Sequence, residues 1–175
     1  MEMIRNILIT GNRQVGKSTL LNHILTECQK EYVGYRTLPH IVVSIGYTYV
    51  MQDITTQETM PISFYDGKKM IGIDDTFSDL GVRCLKHALV CSSEIVVLDE
   101  LGRFEQNNQA FIQAVHDLLD SEKWVFAIIK NEPIAYLEQI KQRKDCQLYD
   151  LNILSFKEAK QMIISKIHMK GDYDE

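Results

Sequence analysis

Hydrophobic residues along the chain alternate between short continuous runs and helically spaced sets. Apolar runs at 4–9, 95–98 and 124–129 predict buried strands. The first run is followed at 20–25 by apolar residues spaced for one face of a helix. Strands that alternate with amphipathic helices are typical of a mostly parallel sheet covered by helices. The pattern therefore predicts an α/β fold.

The remaining elements continue this alternation. A short strand is predicted at 147–151, and Ser155 with Glu158 forms a capping-box pair that opens a last helix reaching Ile167. Three further helices are predicted from helically spaced apolar residues: Leu80, Cys84, Ala88 and Cys91; Phe104, Phe111, Val115 and Leu118; Ile134, Leu137 and Ile140.

The segment after the first helix reads as strands. Residues 32–37 and 41–52 are rich in Val, Ile, Tyr and Thr, which favour strands. The apolar stretches 62–65 and 70–73 flank Asp66-Gly67, a strong signal for a tight turn. We therefore expect a strand-rich insertion at about 32–73.

Length and charge limit the organisation of the chain. Its 175 residues, 45% of them hydrophobic, suit one compact domain, expected at 1–170 and followed by an acidic tail at 171–175. A net charge of −5 argues against non-specific electrostatic binding to nucleic acid or to an anionic membrane. The four cysteines and five histidines show no metal-ligand spacing. Without a secretory segment or a long apolar run, a cytoplasmic location is expected.

The residues after the first strand form a complete phosphate-loop motif, G-x-x-x-x-G-K-[ST]. Its glycines allow a tight turn whose backbone N–H groups face an anion at a helix N-terminus. Within the motif, Lys17 can reach the β- and γ-phosphates, Ser18 can bind Mg²⁺, and the adjoining Thr19 can meet the α-phosphate. The candidate nucleotide-binding residues are Gly11, Asn12, Arg13, Gln14, Val15, Gly16, Lys17, Ser18 and Thr19.

A second candidate element ends the apolar run at 95–98. Asp99 and Glu100 follow this strand directly, as the acids of a Walker B element do. Asp99 is expected to hold Mg²⁺ together with Ser18. Glu100 is expected to orient the water that attacks the γ-phosphate, so Glu100 and Lys17 are the candidate catalytic residues.

The same acids also fit a rival motif. The stretch from Asp99 to Gly102 satisfies the D-x-x-G pattern of GTP-binding switch proteins. An Asn-Lys-x-Asp motif that reads guanine is missing, because the corresponding region offers only Lys130-Asn131-Glu132. The sequence therefore does not favour guanine specificity.

Four blocks resemble the small P-loop nucleoside-triphosphatases first described in thermophiles and also found in animals. The stretch 98–105 is similar to the family's Asp-Glu-Ile-Gly-Lys-Met-Glu, and the helix at 80–89 after Phe77 is also similar. The blocks are the phosphate loop at 11–18, Gly34-Tyr35-Arg36-Thr37, Gly46-Tyr47 with the hairpin that follows, and 98–105.

The resemblance implies a RecA-like P-loop fold and Mg²⁺-dependent hydrolysis of ATP and other nucleoside triphosphates. Two departures remove arginines of the family pattern, at Leu38-Pro39-His40 and at 150–153. Nucleotide binding is therefore a firmer expectation than rapid turnover.

Several charged residues have two interpretations each. Arg13 and Arg103 can contact phosphate or project into solvent. For Glu105, an acid at the start of a helix is favoured over a catalytic role. For the cluster Lys141, Arg143 and Lys144, a solvated helix end is favoured over a lid over the nucleotide. The sequence alone does not decide between these interpretations.

Three functions remain in competition. The leading hypothesis is a nucleoside-triphosphatase that releases nucleoside diphosphate and phosphate. A small-molecule kinase would use the same loop, with the segment 34–73 holding an acceptor hydroxyl. A regulatory protein with slow hydrolysis would use nucleotide as a timer for an unknown protein partner.

Overall fold

The computed structural model describes residues 3–168, so the expected acidic tail at 171–175 lies outside the described residues. A π-helical turn spans Phe77–Gly81, between the second and third helices. The strands are β1 (Asn6–Thr10), β2 (Tyr32–Val43), β3 (Gly46–Asp53), β4 (Thr59–Pro61), β5 (Ser63–Tyr65), β6 (Met70–Gly72), β7 (Ile95–Leu101), β8 (Trp124–Ile129) and β9 (Cys146–Asp150). The helices are α1 (Lys17–Cys28), α2 (Asp74–Thr76), α3 (Val82–Val90), α4 (Gln109–Leu119), α5 (Ala135–Lys141) and α6 (Phe156–His168).

Seven strands form the main sheet in the order β4-β3-β2-β7-β8-β1-β9. The five strands β2, β7, β8, β1 and β9 are parallel to one another. Strand β3 pairs antiparallel with β2, and β4 pairs antiparallel with β3. This confirms the expected mostly parallel sheet. Because parallel strands end at the same edge, the loops after β1, β7 and β8 lie together. We refer to this as the carboxyl edge of the sheet, and to the opposite side as the amino edge.

The predicted insertion starts later than expected, because the first half of β2 belongs to the central sheet. Tyr32 to Arg36 pair in parallel with Ile95 to Asp99 of β7. On its other side, β2 pairs from Tyr35 to Val43 with β3, which turns back antiparallel to it. Gly34 permits the pairing with β7. Its φ is +113°, and a Cβ there would lie 2.0 Å from the Val97 carbonyl oxygen.

Both faces of the sheet are buried, which explains the continuous apolar runs. In β1, Leu8 packs on the face covered by α3 and α4, whereas Ile7 and Ile9 pack on the face covered by α1 and α6. Alternate residues of a strand point to opposite faces, so a strand covered on both sides is apolar throughout. None of the helices within residues 3–168 has the length and apolar character needed to cross a membrane.

Local turn and cap signals are confirmed, with one correction. β5 and β6 form the hairpin expected around Asp66-Gly67, and Ser155 and Glu158 exchange the hydrogen bonds of a capping box. Phe104, however, lies outside the helix to which its spacing assigned it. Helix α4 begins only at Gln109, because the Asn108 side chain accepts a hydrogen bond from the Phe111 amide and caps it.

Candidate active site

The phosphate loop lies between β1 and α1 at the carboxyl edge of the sheet. Gly11 and Gly16 have φ of +147° and +106°, and Gln14 also has a positive φ, so the loop turns as the motif predicts. A Cβ on Gly11 would lie 2.8 Å from Val15 Cγ1, which fixes glycine at this position. The Val15 side chain therefore packs on the loop itself.

Lys17 is the first residue of α1 and bends back over the loop. Its ammonium group donates hydrogen bonds to the carbonyl oxygens of Gly11 and Asn12, each at 2.9 Å. Burial lowers the pKa of Lys17, and the negative charge of Glu100 opposes that shift. The ammonium group is thus held near the loop and close to an acid of β7.

Asn12 ties the loop to two neighbouring strand ends. Its backbone amide donates to Asn152 Oδ1 at 2.9 Å, and its own Oδ1 accepts from Asn131 and Asn152, each at 3.4 Å. Asn131 follows β8 and Asn152 follows β9. The sequence identifies Asn12 only as a member of the motif, so these contacts are known only from the structure.

Asp99 lies near the carboxyl end of β7 and is largely buried. Burial, together with the neighbouring Glu100 carboxylate, raises the pKa of Asp99 to about 7. Within residues 3–168, no protein group donates a hydrogen bond to this carboxylate. A bound divalent cation would favour its charged form.

Ser18 and Asp99 line the same cleft and suit Mg²⁺. Both offer oxygen atoms, and Mg²⁺ commonly takes one or two protein ligands, with phosphate and water completing the octahedron. The residues present therefore fit the expected metal ion.

Glu100 faces the cleft beside a second lysine. Its Oε1 lies 3.4 Å from the ammonium nitrogen of Lys130 at the end of β8. The Glu100 amide donates to Thr37 Oγ1 at 3.2 Å, and its carbonyl accepts from the Tyr35 hydroxyl at 3.1 Å. The Asp99–Glu100 peptide bond is cis. Glu100 is thus held through its backbone by β2 and through its side chain by β8.

These residues surround one cleft of about 660 Å³. It is lined by every predicted nucleotide-binding residue except Val15, and by Asp99, Glu100 and Lys130. The cleft continues beyond Glu100 between the β2–β3 turn and the β5–β6 hairpin, where tyrosine, methionine and phenylalanine side chains line it. This volume lies within the range of small-molecule sites.

The two arginines at the cleft have different neighbours. The Arg13 side chain lies beside the β2–β3 turn, because its Nη2 is 3.6 Å from the position a Cβ on Gly46 would take. The Arg103 guanidinium lies over the Phe104 ring, 5.4 Å from its centroid. Both side chains line the cleft.

The helix-start interpretation of Glu105 is wrong. Glu105 lies in the turn before α4, is almost fully buried, and accepts hydrogen bonds from the Gly102 amide and the Tyr136 hydroxyl. Burial raises the pKa of Glu105, and these two hydrogen bonds oppose the shift. Glu105 therefore fixes the turn that follows β7.

The lid interpretation of Lys141, Arg143 and Lys144 is also wrong. These residues precede β9, so they lie at the amino edge of the sheet, opposite the phosphate loop. The favoured alternative, a solvated helix end, fails for Arg143, whose guanidinium binds Asp120 and Asp145 and is only 20% exposed. A partly buried pairing of Arg143 with two acids replaces the expected solvated charge.

No sequence motif predicts a role for Lys130 or Thr37 at the site. Lys130 lies where a guanine-reading motif would be, and Thr37 lies in a block that resembles the family. Their contacts with Glu100 depend on β7 lying between β8 and β2. The position of Lys130 directly after a buried strand is the sequence feature that indicates a role at the site, because the ends of parallel strands meet at the carboxyl edge.

A phosphate loop at the start of α1, facing two acids at the end of a buried parallel strand, defines a P-loop NTPase. The family model described as NTPase matches residues 6–167. The chain therefore belongs to this NTPase family.

Individual relatives agree with this assignment. The chain is 31% identical over 152 residues to nucleoside-triphosphatase THEP1 of Thermotoga maritima, covering 83% of this chain and 86% of that protein. It is 28% identical over 176 residues to the cancer-related nucleoside-triphosphatase of Homo sapiens, with 85% and 89% covered. The crystal structure of THEP1 from the hyperthermophile Aquifex aeolicus matches with a TM-score of 0.72 at 22% identity, over 91% of this chain and 97% of that one. The resemblance inferred from sequence is confirmed.

Proposed function

We propose that this chain hydrolyses ATP and other nucleoside triphosphates, with Mg²⁺, to nucleoside diphosphate and phosphate. The observation that carries the proposal is the placement of Lys17, Asp99 and Glu100 around one cleft at the carboxyl edge of the sheet. Phosphoryl transfer demands positioning and charge stabilisation more than covalent chemistry, and this set supplies both.

Binding is assigned to the loop and the start of α1. We assign the backbone amides of 11–16 and the Lys17 ammonium group to the β- and γ-phosphates, and Thr19 to the α-phosphate. Ser18 and Asp99 would hold Mg²⁺. When bound, the ion neutralises charge on the β- and γ-phosphate oxygens.

Glu100 is assigned to the attacking water. Its carboxylate can accept a proton from water on the γ-phosphate side of the cleft. Lys130 pairs with the carboxylate and adds a second ammonium group, whose charge also acts on Lys17. Thr37 holds the backbone of the same residue. Lys130 thereby offers positive charge in a site where two arginines of the family pattern are missing.

Phosphate release from ATP, GTP, CTP and UTP, measured with Mg²⁺ and with EDTA, tests this function. Wild-type protein should release phosphate only with Mg²⁺. Asp99→Asn should lose most of that activity but retain its affinity for nucleotide measured without metal, because its amide still fills the site. Equal losses with and without Mg²⁺ would indicate misfolding and contradict the metal assignment.

A further inference from the structure

The part of the cleft beyond Glu100 has a different character from the phosphate site. We call it the distal half of the cleft. Tyrosine, phenylalanine and aliphatic side chains dominate it, in contrast to the glycines, lysines and hydroxyls near the loop. Its residues are Ile45, Tyr47, Tyr49, Ile62, Met70 and Phe104.

This half is built by several elements that support one another. The Ile62 amide donates to the Tyr49 carbonyl oxygen at 3.0 Å, and the Tyr49 amide donates to Ser63 Oγ at 3.0 Å, so the β5–β6 hairpin is fixed to β3. Phe104 packs against the backbone at Gly72, where a Cβ would lie 3.0 Å from the Phe104 Cβ. The walls are therefore part of the fold.

The strand order places the distal half on the γ-phosphate side of the site. From the phosphate loop on β1, the order runs through β8 and β7 to β2 and β3. Glu100 lies on β7, so strand β3 is farther from β1 along the sheet than the acids are, while the β2–β3 turn reaches the Arg13 side chain of the loop. Since the γ-phosphate faces those acids, the nucleoside end points the other way. The distal half is therefore open to a second molecule.

The exposed apolar side chains here favour a flat ring as that molecule. Ile45 and Tyr47 are 53% and 43% exposed, so their side chains are accessible to a molecule in the cleft. Tyrosine and phenylalanine rings stack on planar ligands. Arg103, which lies over Phe104, adds a cation beside the same wall.

We propose that the distal half binds a heteroaromatic alcohol and that the protein transfers the γ-phosphoryl group of bound nucleotide to its hydroxyl group. This inference rests on the proposed function for nucleotide binding. The hydroxyl oxygen forms a bond to the γ-phosphorus, and the bond from that phosphorus to the bridging oxygen breaks. The electron pair stays on the nucleoside diphosphate, and the hydroxyl proton passes to Glu100. Water takes the place of the alcohol in hydrolysis.

The test follows the destination of the phosphoryl group. Full-length protein is incubated with Mg²⁺, ATP labelled at the γ-phosphate, and one probe at a time: adenosine, guanosine, cytidine, uridine or pyridoxine. The ratio of labelled probe to labelled phosphate is measured. With at least one probe, labelled probe should exceed labelled phosphate. Tyr47→Ala should lower this ratio about tenfold, the scale of a lost stacking contact.

Phe64→Ala provides the matched control. Phe64 is an aromatic residue on β5 that is 46% exposed, much like Tyr47, but it is not among the residues that line the cleft. The ratio should change less than about twofold in this variant. An equal fall in both variants would overturn the assignment to the distal half.

A binding measurement separates this proposal from one in which the distal half holds the base of the nucleotide. Equilibrium dialysis of labelled probe is performed with and without a non-hydrolysable ATP analogue. Simultaneous binding is expected, whereas mutual exclusion would overturn the proposal. Simultaneous binding without labelled product would overturn it as well, because the hydroxyl is then not placed for attack.

Hydrolysis distinguishes failure of this inference from failure of the proposed function. If ATP is hydrolysed but none of the five probes is labelled, the acceptor site is wrong and the nucleoside-triphosphatase stands. If ATP is neither bound nor hydrolysed, the proposed function and this inference both fail.

Discussion

The two edges of the central sheet carry similar charges but use them differently. At the amino edge, Arg143 binds Asp120 and Asp145, and the ammonium group of Lys123 donates to two backbone carbonyl oxygens. At the carboxyl edge, Lys17 donates to carbonyls of its own loop and, within residues 3–168, to no acid, and burial raises the pKa of Asp99 to about 7.

We interpret this difference as a division between charges that serve the fold and charges that serve a ligand. A buried charge is tolerated when protein groups pair with it, as at the amino edge. Acids and lysines gathered in an open cleft gain most from a phosphate group and a cation. The predictions below test this division.

The largest effect is expected for Glu100→Gln. The amide fills the same volume but cannot accept a proton from water, so single-turnover hydrolysis should slow by about 10²–10⁴-fold. Affinity for Mg²⁺-nucleotide should stay close to that of the wild type. Glu122→Gln, an exposed acid at the amino edge, is the control and should hydrolyse normally. A rate within twofold of wild type in the Glu100 variant, with nucleotide bound, would reject this role.

Lys17→Ala should weaken triphosphate binding, measured by calorimetry. Contacts between a charged donor and phosphate contribute about 1.5–3 kcal/mol, which corresponds to about ten- to a hundredfold in affinity. Lys144→Ala removes an exposed lysine at the amino edge and should leave the affinity unchanged. Unaltered ATP binding by a folded Lys17 variant would contradict the assignment of the loop.

Arg143→Ala should change stability and leave hydrolysis unchanged. Arg143 and Asp145 are 20% and 26% exposed, so losing their charge-assisted hydrogen bonds should lower the free energy of unfolding by about 2 kcal/mol, measured by urea denaturation. Arg83→Ala is the matched control, because Arg83 also binds two acids but is 52% exposed. That exposed pairing should contribute much less to the free energy of unfolding, because solvent screens it.

The effect of Arg143→Ala should also depend on pH. The Arg143 hydrogen bonds lower the pKa of Asp145. A lowered carboxyl pKa adds stability above the ordinary aspartate range, and this stability is lost as the pH falls through the lowered value. The difference between variant and wild type should therefore shrink in acid. A constant difference would contradict the role of the Asp145 pair.

The smallest effect is expected for Glu105→Gln. Burial raises the pKa of Glu105, so the folded state holds its proton to higher pH than the unfolded state does. Wild-type stability should consequently fall as the pH rises from the ordinary glutamate range through the raised value, and then level off. Glutamine does not titrate, and its oxygen can accept from Gly102 and Tyr136.

Urea denaturation across this pH range measures the Glu105 effect. The variant should gain stability relative to wild type as the pH rises, within about 1.5 kcal/mol, the net value of a neutral hydrogen bond. Glu105→Ala, which removes the acceptor, should be less stable than the Gln variant at every pH. A difference that does not vary with pH would contradict the burial of an ionisable group here.

The motif-bearing turns could be predicted because their signals are local. The glycines of the phosphate loop, the Asp66-Gly67 turn and the Ser155 capping box each act within a few residues, and all three are confirmed. Phe104 shows the limit of periodicity. Its spacing matched a helix face, but the Asn108 cap starts the helix later.

Contacts between strand ends could not be predicted, because they depend on strand order. Lys130 follows Glu100 by thirty residues, and Thr37 precedes it by sixty-three, yet both contact it. The same reasoning explains why both predictions for Arg143, a solvated helix end and a lid over the nucleotide, are wrong. Arg143 is far from the loop in sequence and in space. Its partners, Asp120 and Asp145, lie with it at the amino edge.

The sequence by itself determined the class of fold, the phosphate loop and the acids at the end of β7, because period, glycine conformation and residue chemistry are properties of short segments. The tertiary structure decided which side chains meet these groups. It placed Lys130 beside Glu100, buried Glu105 under the turn, and added a tyrosine-lined half to the cleft. These outcomes depend on strand order and burial, which bring distant residues together and which no local pattern encodes.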